Sequence, residues 1–331
     1  MPTRPLTIWA VSDGRAGIEN QVLGLAEAIA RLTPAEIAIK RIRYRTAFDW
    51  LPVSLKLMPD AMLTAGSDSL RAGPAGWPDI WIGAGRATLP HAVRMKARSG
   101  GHTLVVQLQD PTVDLAAFDV VIAPEHDALQ GRNVLSLLGS THRVTPQRLR
   151  DEAEAFAGLL DNKPRPYVAV LIGGNSKTHV LTAERARALA GDIRHAMAAS
   201  GGTLLVTFSR RTPDDAKAAF TAGLGNVPAV IHDGGANPYF AYLDAADAIL
   251  VTEDSVNMAV EAASTGRPVY TLSLDRRRAG DKFQRFHQSL RDRGIARPFE
   301  GKVEAWSYPA LDETERAARH VLQSLEARQP A

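Results

Sequence analysis

The chain has 331 residues, roughly twice a typical single domain, so two domains are expected. Its 45% hydrophobic and 23% charged residues are those of an ordinary globular protein, and a net charge of +3 suits anionic ligands while being too small to indicate nucleic acid. The absence of cysteine excludes disulfides, thiolate metal sites, iron–sulfur clusters and cysteine nucleophiles. No uninterrupted apolar run approaches the roughly 18 residues of a membrane span, and the amino-terminal stretch has no signal-like apolar core, so a cytoplasmic protein is expected.

In chain order, short apolar runs alternate with helical stretches, the pattern of βα units around mostly parallel sheets. Strands are expected over 6–12, 35–44, 79–85, 103–109 and 120–125. A helix over 19–32 spaces Val22, Leu25, Ala26 and Ile29 along one buried face, and another is expected over 89–99. The stretch DEAEAFAGLLDNKPRPY ends a helix near Leu160 and continues as a polar, proline-containing connection. The pattern then restarts, with strands expected over 167–174, 203–211, 229–235, 248–254 and 268–274 and a last helix over 312–328. The fold class is therefore α/β, with two Rossmann-like domains, 1–160 and 161–311; facing one another, they would enclose a cleft.

Ligands of open parallel sheets bind outside the strand ends, and both halves place polar or glycine-rich residues there. The stretch AILVTEDSVNMAVEA ends a strand in Thr252, Glu253, Asp254 and Ser255 and starts a helix near Val256. Open first-turn amides, including those of Val256 and Asn257, favour an anion, and Glu261, one turn deeper, could accept hydrogen bonds from a ribose diol. A capped helix carrying a solvated glutamate explains the same residues. LIGGNSKT places Gly173, Gly174, Asn175 and Lys177 after another strand, where glycines permit positive φ and close approach to phosphate. TFSRRTP adds Arg210 and Arg211, suited to bidentate phosphate contacts or simply solvated. In the first half, SDGRAG supplies Asp13, Gly14, Arg15 and Gly17, WIGAGR supplies Gly85 and Arg86, QLQDP supplies Asp110 and APEHD supplies His126. Asp13, Asp110 or His126 could act as a general base; each is equally explained as a turn or cap residue.

Histidines at metal-ligand spacing, the HExxH motif and the GxSxG elbow are all missing, and no DxD pair follows a strand, so no metal is expected. KRIRYRTAFDWLPVSLKLMPD joins Arg41, Arg43 and Arg45 to an apolar stretch. Trp50, Leu51, Leu55 and Leu57 could dip into a lipid surface while Lys56 and the arginines meet head groups; a buried connection is the alternative.

The blocks SDGRAGIENQ, SRRTP, NPYFAYLDAADAILVTEDSVNMAVEA, TGRPVY and DKFQRFHQSL resemble the bacterial branch of the mitochondrial-fission ELM family over nearly the whole chain. That family is similar to two-Rossmann GT-B glycosyltransferases, including the lipid-linked N-acetylglucosaminyl transferase of peptidoglycan synthesis, and SRRTP also resembles the arginine loop of Kdo transferases. The resemblance implies diphosphate at Ser255, Val256 and Asn257, ribose on Glu261, and positive charge from Lys282 near the leaving group. It also implies a last helix packed back on the first domain, and transfer without a metal or other cofactor. The first domain lacks the full glycine-rich loop of the peptidoglycan enzyme. The expected function is transfer of a sugar from a nucleoside-diphosphate sugar to an acceptor, with a lipid-linked acceptor and contact with the inner membrane both compatible. A nucleotide-sugar epimerase and a non-catalytic adaptor are the alternatives.

Overall fold

A computed structural model describes residues 4–74, 76–277 and 281–328. The chain runs β1 (Leu6–Ser12), α1 (Ala16–Leu32), β2 (Ala35–Arg41), α2 (Thr46–Asp49), β3 (Ile80–Ala84), α3 (Leu89–Arg98), β4 (Leu104–Leu108), β5 (Val120–Pro124) and β6 (Val134–Leu137). These strands form one six-stranded parallel sheet in the order β2-β1-β3-β4-β5-β6. After α4 (Pro146–Ala155) come β7 (Tyr167–Ile172), β8 (His179–Val180), α5 (Ala183–Ser200), β9 (Thr203–Phe208), α6 (Asp214–Gly223), β10 (Ala229–Ile231) and α7 (Tyr239–Ala245). Then follow β11 (Ala248–Thr252), α8 (Val256–Ala263), β12 (Val269–Leu272), β13 (Asp275–Arg276), α9 (Asp281–Asp292), β14 (Ala296–Pro298) and α10 (Glu313–Glu326). A second parallel sheet has the order β10-β9-β7-β11-β12-β14, and β8 pairs antiparallel with β13.

The central strands β3, β4, β7 and β11 are buried at every position, because helices cover both faces of a parallel sheet. The edge strand β2 has no buried position. Helix α1 buries Val22, Leu25, Ala26 and Ile29, as their spacing requires.

Two compact units result: residues 1–143 with 312–331, and residues 144–311. The second begins ahead of the expected connection at 161 because α4 packs on α7, with the Arg148 guanidinium 4.9 Å from the Phe240 ring centre. Helix α10 completes the first unit. Its Ala317, Ala318 and Val321 sit in one core with Val22, Leu25 and Ile29 of α1. Its first turn is tied down too: Glu313 accepts the Leu138 N–H at 2.7 Å and the Thr314 hydroxyl accepts the His142 N–H at 3.1 Å.

The segment between β2 and β3 corrects one expectation. Lys56 does not reach outward toward head groups; it is buried, with Nζ 3.8 Å from the Tyr44 ring centre and donating to the Asp49 carbonyl at 3.2 Å. The aromatic face and one carbonyl replace part of the lost hydration, and burial pulls its pKa down. Arg41 is likewise committed, to Glu19 at 2.7 Å.

Val321→Asp would set an unpaired carboxylate inside the first core, at a cost of about 3–5 kcal/mol. Urea unfolding followed by circular dichroism is expected to show an early transition for the first unit, with that of the second unit retained.

Candidate functional site

In the second sheet the winding direction reverses between β7 and β11, so the chains leaving these neighbouring strands diverge and open a crevice at their carboxyl ends. The segments after β7, β9 and β11 meet there around one carboxylate. Asp254 is buried, and its Oδ2 accepts the Gly174 N–H at 3.1 Å and Arg211 Nη2 at 2.8 Å. Its Oδ1 accepts the Thr252 hydroxyl at 2.7 Å, and Thr252 Oγ1 in turn accepts the Gly173 N–H at 2.7 Å. The Thr212 hydroxyl donates to the Gly173 carbonyl, and the Asn175 N–H donates to the Arg211 carbonyl at 3.1 Å.

This packing corrects the reason for the glycine pair. Gly14 and Gly85 adopt positive φ, but neither Gly173 nor Gly174 is among the positive-φ residues. A β-carbon on Gly173 would lie 2.0 Å from Asp254 Oδ1, and one on Gly174 would lie 2.2 Å from the Arg211 carbonyl oxygen. Glycine is required because neighbouring strand ends press against the backbone. Asp254, Thr252 and Arg211 thus brace the crevice floor.

Ser255 caps α8, its hydroxyl accepting the Met258 N–H at 3.4 Å, and the helix begins at Val256. Val256 and Asn257 are half-buried in its first turn. Glu261 is not a solvated glutamate: it is buried and accepts the Tyr239 hydroxyl at 2.6 Å. Burial pushes its carboxyl up to about 7, although the Tyr239 hydrogen bond opposes the shift. Burial and the facing carboxylate raise the Tyr239 phenol well above its ordinary value. Glu253 serves a brace on the other side: its Oε1 accepts the Leu274 N–H at 2.8 Å and its carbonyl lies 2.9 Å from His287 Nε2. His179 is also near, with Nε2 3.9 Å from Glu253 Oε1. Burial lowers the pKa of both histidines. Lys177, Arg210 and Lys282 are exposed, while Asn175 accepts the Leu181 N–H at 3.0 Å.

The first sheet reverses between β1 and β3, which brings Asp13, Gly14, Gly85 and Arg86 to its own switch point. A β-carbon built on Gly85 would lie 3.9 Å from Arg15 Nη2, so the two loops adjoin. Asp13 accepts the Arg15 N–H at 3.0 Å and Arg15 Nε at 2.7 Å. Arg86 donates to the carbonyls of Trp50 and Leu51 at 2.8 and 3.1 Å. Gly17 is exposed at the start of α1. Asp110 follows β4 and accepts the Thr112 N–H at 2.8 Å, and buried His126 follows β5.

Tyr239, Thr212, His179 and His287 take part without having been singled out from the sequence. Tyr239 lies 22 positions before its partner, a separation no local pattern encodes. Among the described residues no cluster of three histidine, aspartate or glutamate side chains could hold a metal ion, and no helix is long and apolar enough to cross a membrane.

Among solved structures, the chain is similar to the UDP-GlcNAc 2-epimerase of Methanocaldococcus jannaschii. The TM-score is 0.53 at 12% identity, covering 99% of this chain and 94% of that one. It is also similar to MurG of Acinetobacter baumannii, with a TM-score of 0.50 at 12% identity, covering 96% and 100%. These likenesses place the fold with the GT-B glycosyltransferases and epimerases. In sequence, the chain is 32% identical over 279 residues to the mitochondrial fission protein ELM1 of Arabidopsis thaliana. That match takes in 76% of this chain but 65% of the plant protein, less than two thirds of its length. An uncharacterized protein of Rickettsia prowazekii is 26% identical over 95% of this chain and 97% of its own length. With its residues 16–325 matching the family described as mitochondrial fission ELM1, the chain belongs to that family.

Proposed function

We propose that the second unit binds the nucleoside diphosphate of a sugar nucleotide at the β7–β11 switch point, and that the protein transfers the sugar to an acceptor. One observation carries this reading: the strand-end loops bearing Gly173–Gly174 and Arg211 and the start of α8 converge at a single reversal of the sheet, with Glu261 further along the same helix. The α8 amides and the cations Lys177, Arg210 and Lys282 would oppose charge growing on the departing diphosphate, which is electrostatic catalysis. Arg211 would act differently. It is paired with buried Asp254, so it holds the loop in place.

The first unit's switch point is the proposed acceptor side, with Gly14, Arg15, Gly17, Gly85 and Arg86 around it and His126 at the neighbouring β5 end. Asp13 is favoured over Asp110 as base, because Asp13 directly follows β1 at the reversal of the first sheet. An epimerase reading is favoured by the likeness to a UDP-GlcNAc 2-epimerase, and an adaptor reading by the relative named as a fission protein. Product analysis separates them. An epimerase releases a rearranged sugar without acceptor, a transferase needs one, and an adaptor turns over neither.

Isothermal titration with uridine, adenosine and guanosine diphosphates is expected to detect binding of at least one. Arg210→Ala, an exposed change that leaves the fold alone, should weaken it about tenfold, the worth of one charge-assisted contact. Heat from none of the three removes the reading.

The pH dependence follows from Glu261. Its folded pKa of about 7 lies above the ordinary 4.5, so the folded protein keeps a proton that the unfolded chain releases between those values. Stability therefore falls as pH rises across that window, and Glu261→Gln should flatten the fall in thermal melts. A ribose diol donates to the ionised carboxylate, so nucleotide affinity should rise about tenfold between pH 6 and pH 8 and lose that rise in Glu261→Gln.

A further inference from the structure

The exposed large hydrophobic residues among the described ones are Ile39, Trp50, Leu55, Leu57 and Met58. Four of these five lie within residues 50–58, at 71%, 58%, 73% and 70% exposure. Scattered single apolar residues are ordinary on a surface, but side chains of this size concentrated in one short segment signal something that covers them. The chain itself does not: Val53 and Leu63 from the same segment turn inward onto a core with Trp9, Trp81 and Met95, leaving the others outside.

The backbone here is well anchored. Arg86 donates to the carbonyls of Trp50 and Leu51, and Lys56, flanked by exposed Leu55 and Leu57, is folded beneath them onto Tyr44 and the Asp49 carbonyl. Arg45 donates to the carbonyls of Ala61 and Leu63 at 2.6 and 3.1 Å. Among the described residues neither Arg45 nor Arg86 is paired with a carboxylate, and both are exposed. From residue 46 to residue 58 the sequence holds one acidic residue, Asp49, which lies in the field of Lys56 and Arg15. The rim is therefore positive and the apex apolar.

We infer that residues 50–58 of the first unit dock on an anionic lipid surface, with Trp50, Leu55, Leu57 and Met58 entering the head-group boundary and Arg45 and Arg86 facing lipid phosphates. Charge complementarity selects this occupant: protruding tryptophan and aliphatic side chains with a cationic rim match an acidic bilayer, where apolar burial and electrostatic attraction add. Because Arg86 belongs to the same loop system as Gly85, docking would set the strand-end edge of the first sheet beside the bilayer. The inference does not depend on nucleotide binding, which lies in the other unit.

Vesicle flotation tests it with the full chain. Co-flotation is expected with vesicles of equal phosphatidylcholine and phosphatidylglycerol, weaker with phosphatidylcholine alone, and weaker again in raised salt. The variant carrying Trp50→Ser, Leu55→Ser, Leu57→Ser and Met58→Ser should keep the wild-type thermal melt, since these side chains contact little of the core. Its partitioning should drop at least tenfold, as loss of apolar burial requires. Absence of flotation with acidic vesicles overturns the inference, as does equal flotation by the variant. Concentration-dependent self-association without flotation, abolished in the variant, also overturns it and assigns the patch to a protein interface.

Discussion

A single buried carboxylate holds the second unit's strand ends together. Asp254 receives an N–H from the loop after β7, a guanidinium from the loop after β9 and a hydroxyl from the end of its own strand. A carboxyl group with no exposed surface needs its lone pairs filled, and here three separate segments fill them. Each segment is consequently fixed relative to the others. The glycines after β7, the SRRTP turn after β9 and the cap of α8 are consequences of that junction, since its compactness leaves no room for a β-carbon at 173 or 174.

Around this floor the chemistry is graded by exposure. Arg211 pairs with buried Asp254, while Lys177, Arg210 and Lys282 are exposed. Glu261 differs again, as a carboxyl kept from water and facing a phenol. A buried acid and exposed cations are therefore both found in the second unit.

Much of the fold was legible in the sequence, because parallel strands covered on both faces are predominantly apolar, as β1, β3, β4, β7 and β11 are apart from Thr7, Ser12, Gln107 and Thr252. What escaped was short or half-exposed. β6 and β14 have four and three residues at the sheet margins, and the β8–β13 pair has two apiece, too few to set up a period. Residues that follow strand ends could be placed from sequence position, as Gly173, Arg211 and Ser255 were. Their partners could not. Whether Asp254 binds a ligand or braces a loop, and whether Lys56 reaches water or an aromatic face, depends on residues brought near from distant segments. Side-chain destination is a tertiary property, and composition carries little of it.

Helix α10 carries a consequence for how the molecule is made. The second unit is contiguous in sequence, whereas the first needs residues from both sides of it. On a ribosome the core that holds Val22, Leu25 and Ile29 stays incomplete until Ala317, Ala318 and Val321 have been synthesised. The inserted unit can therefore finish folding while its host still lacks its last helix.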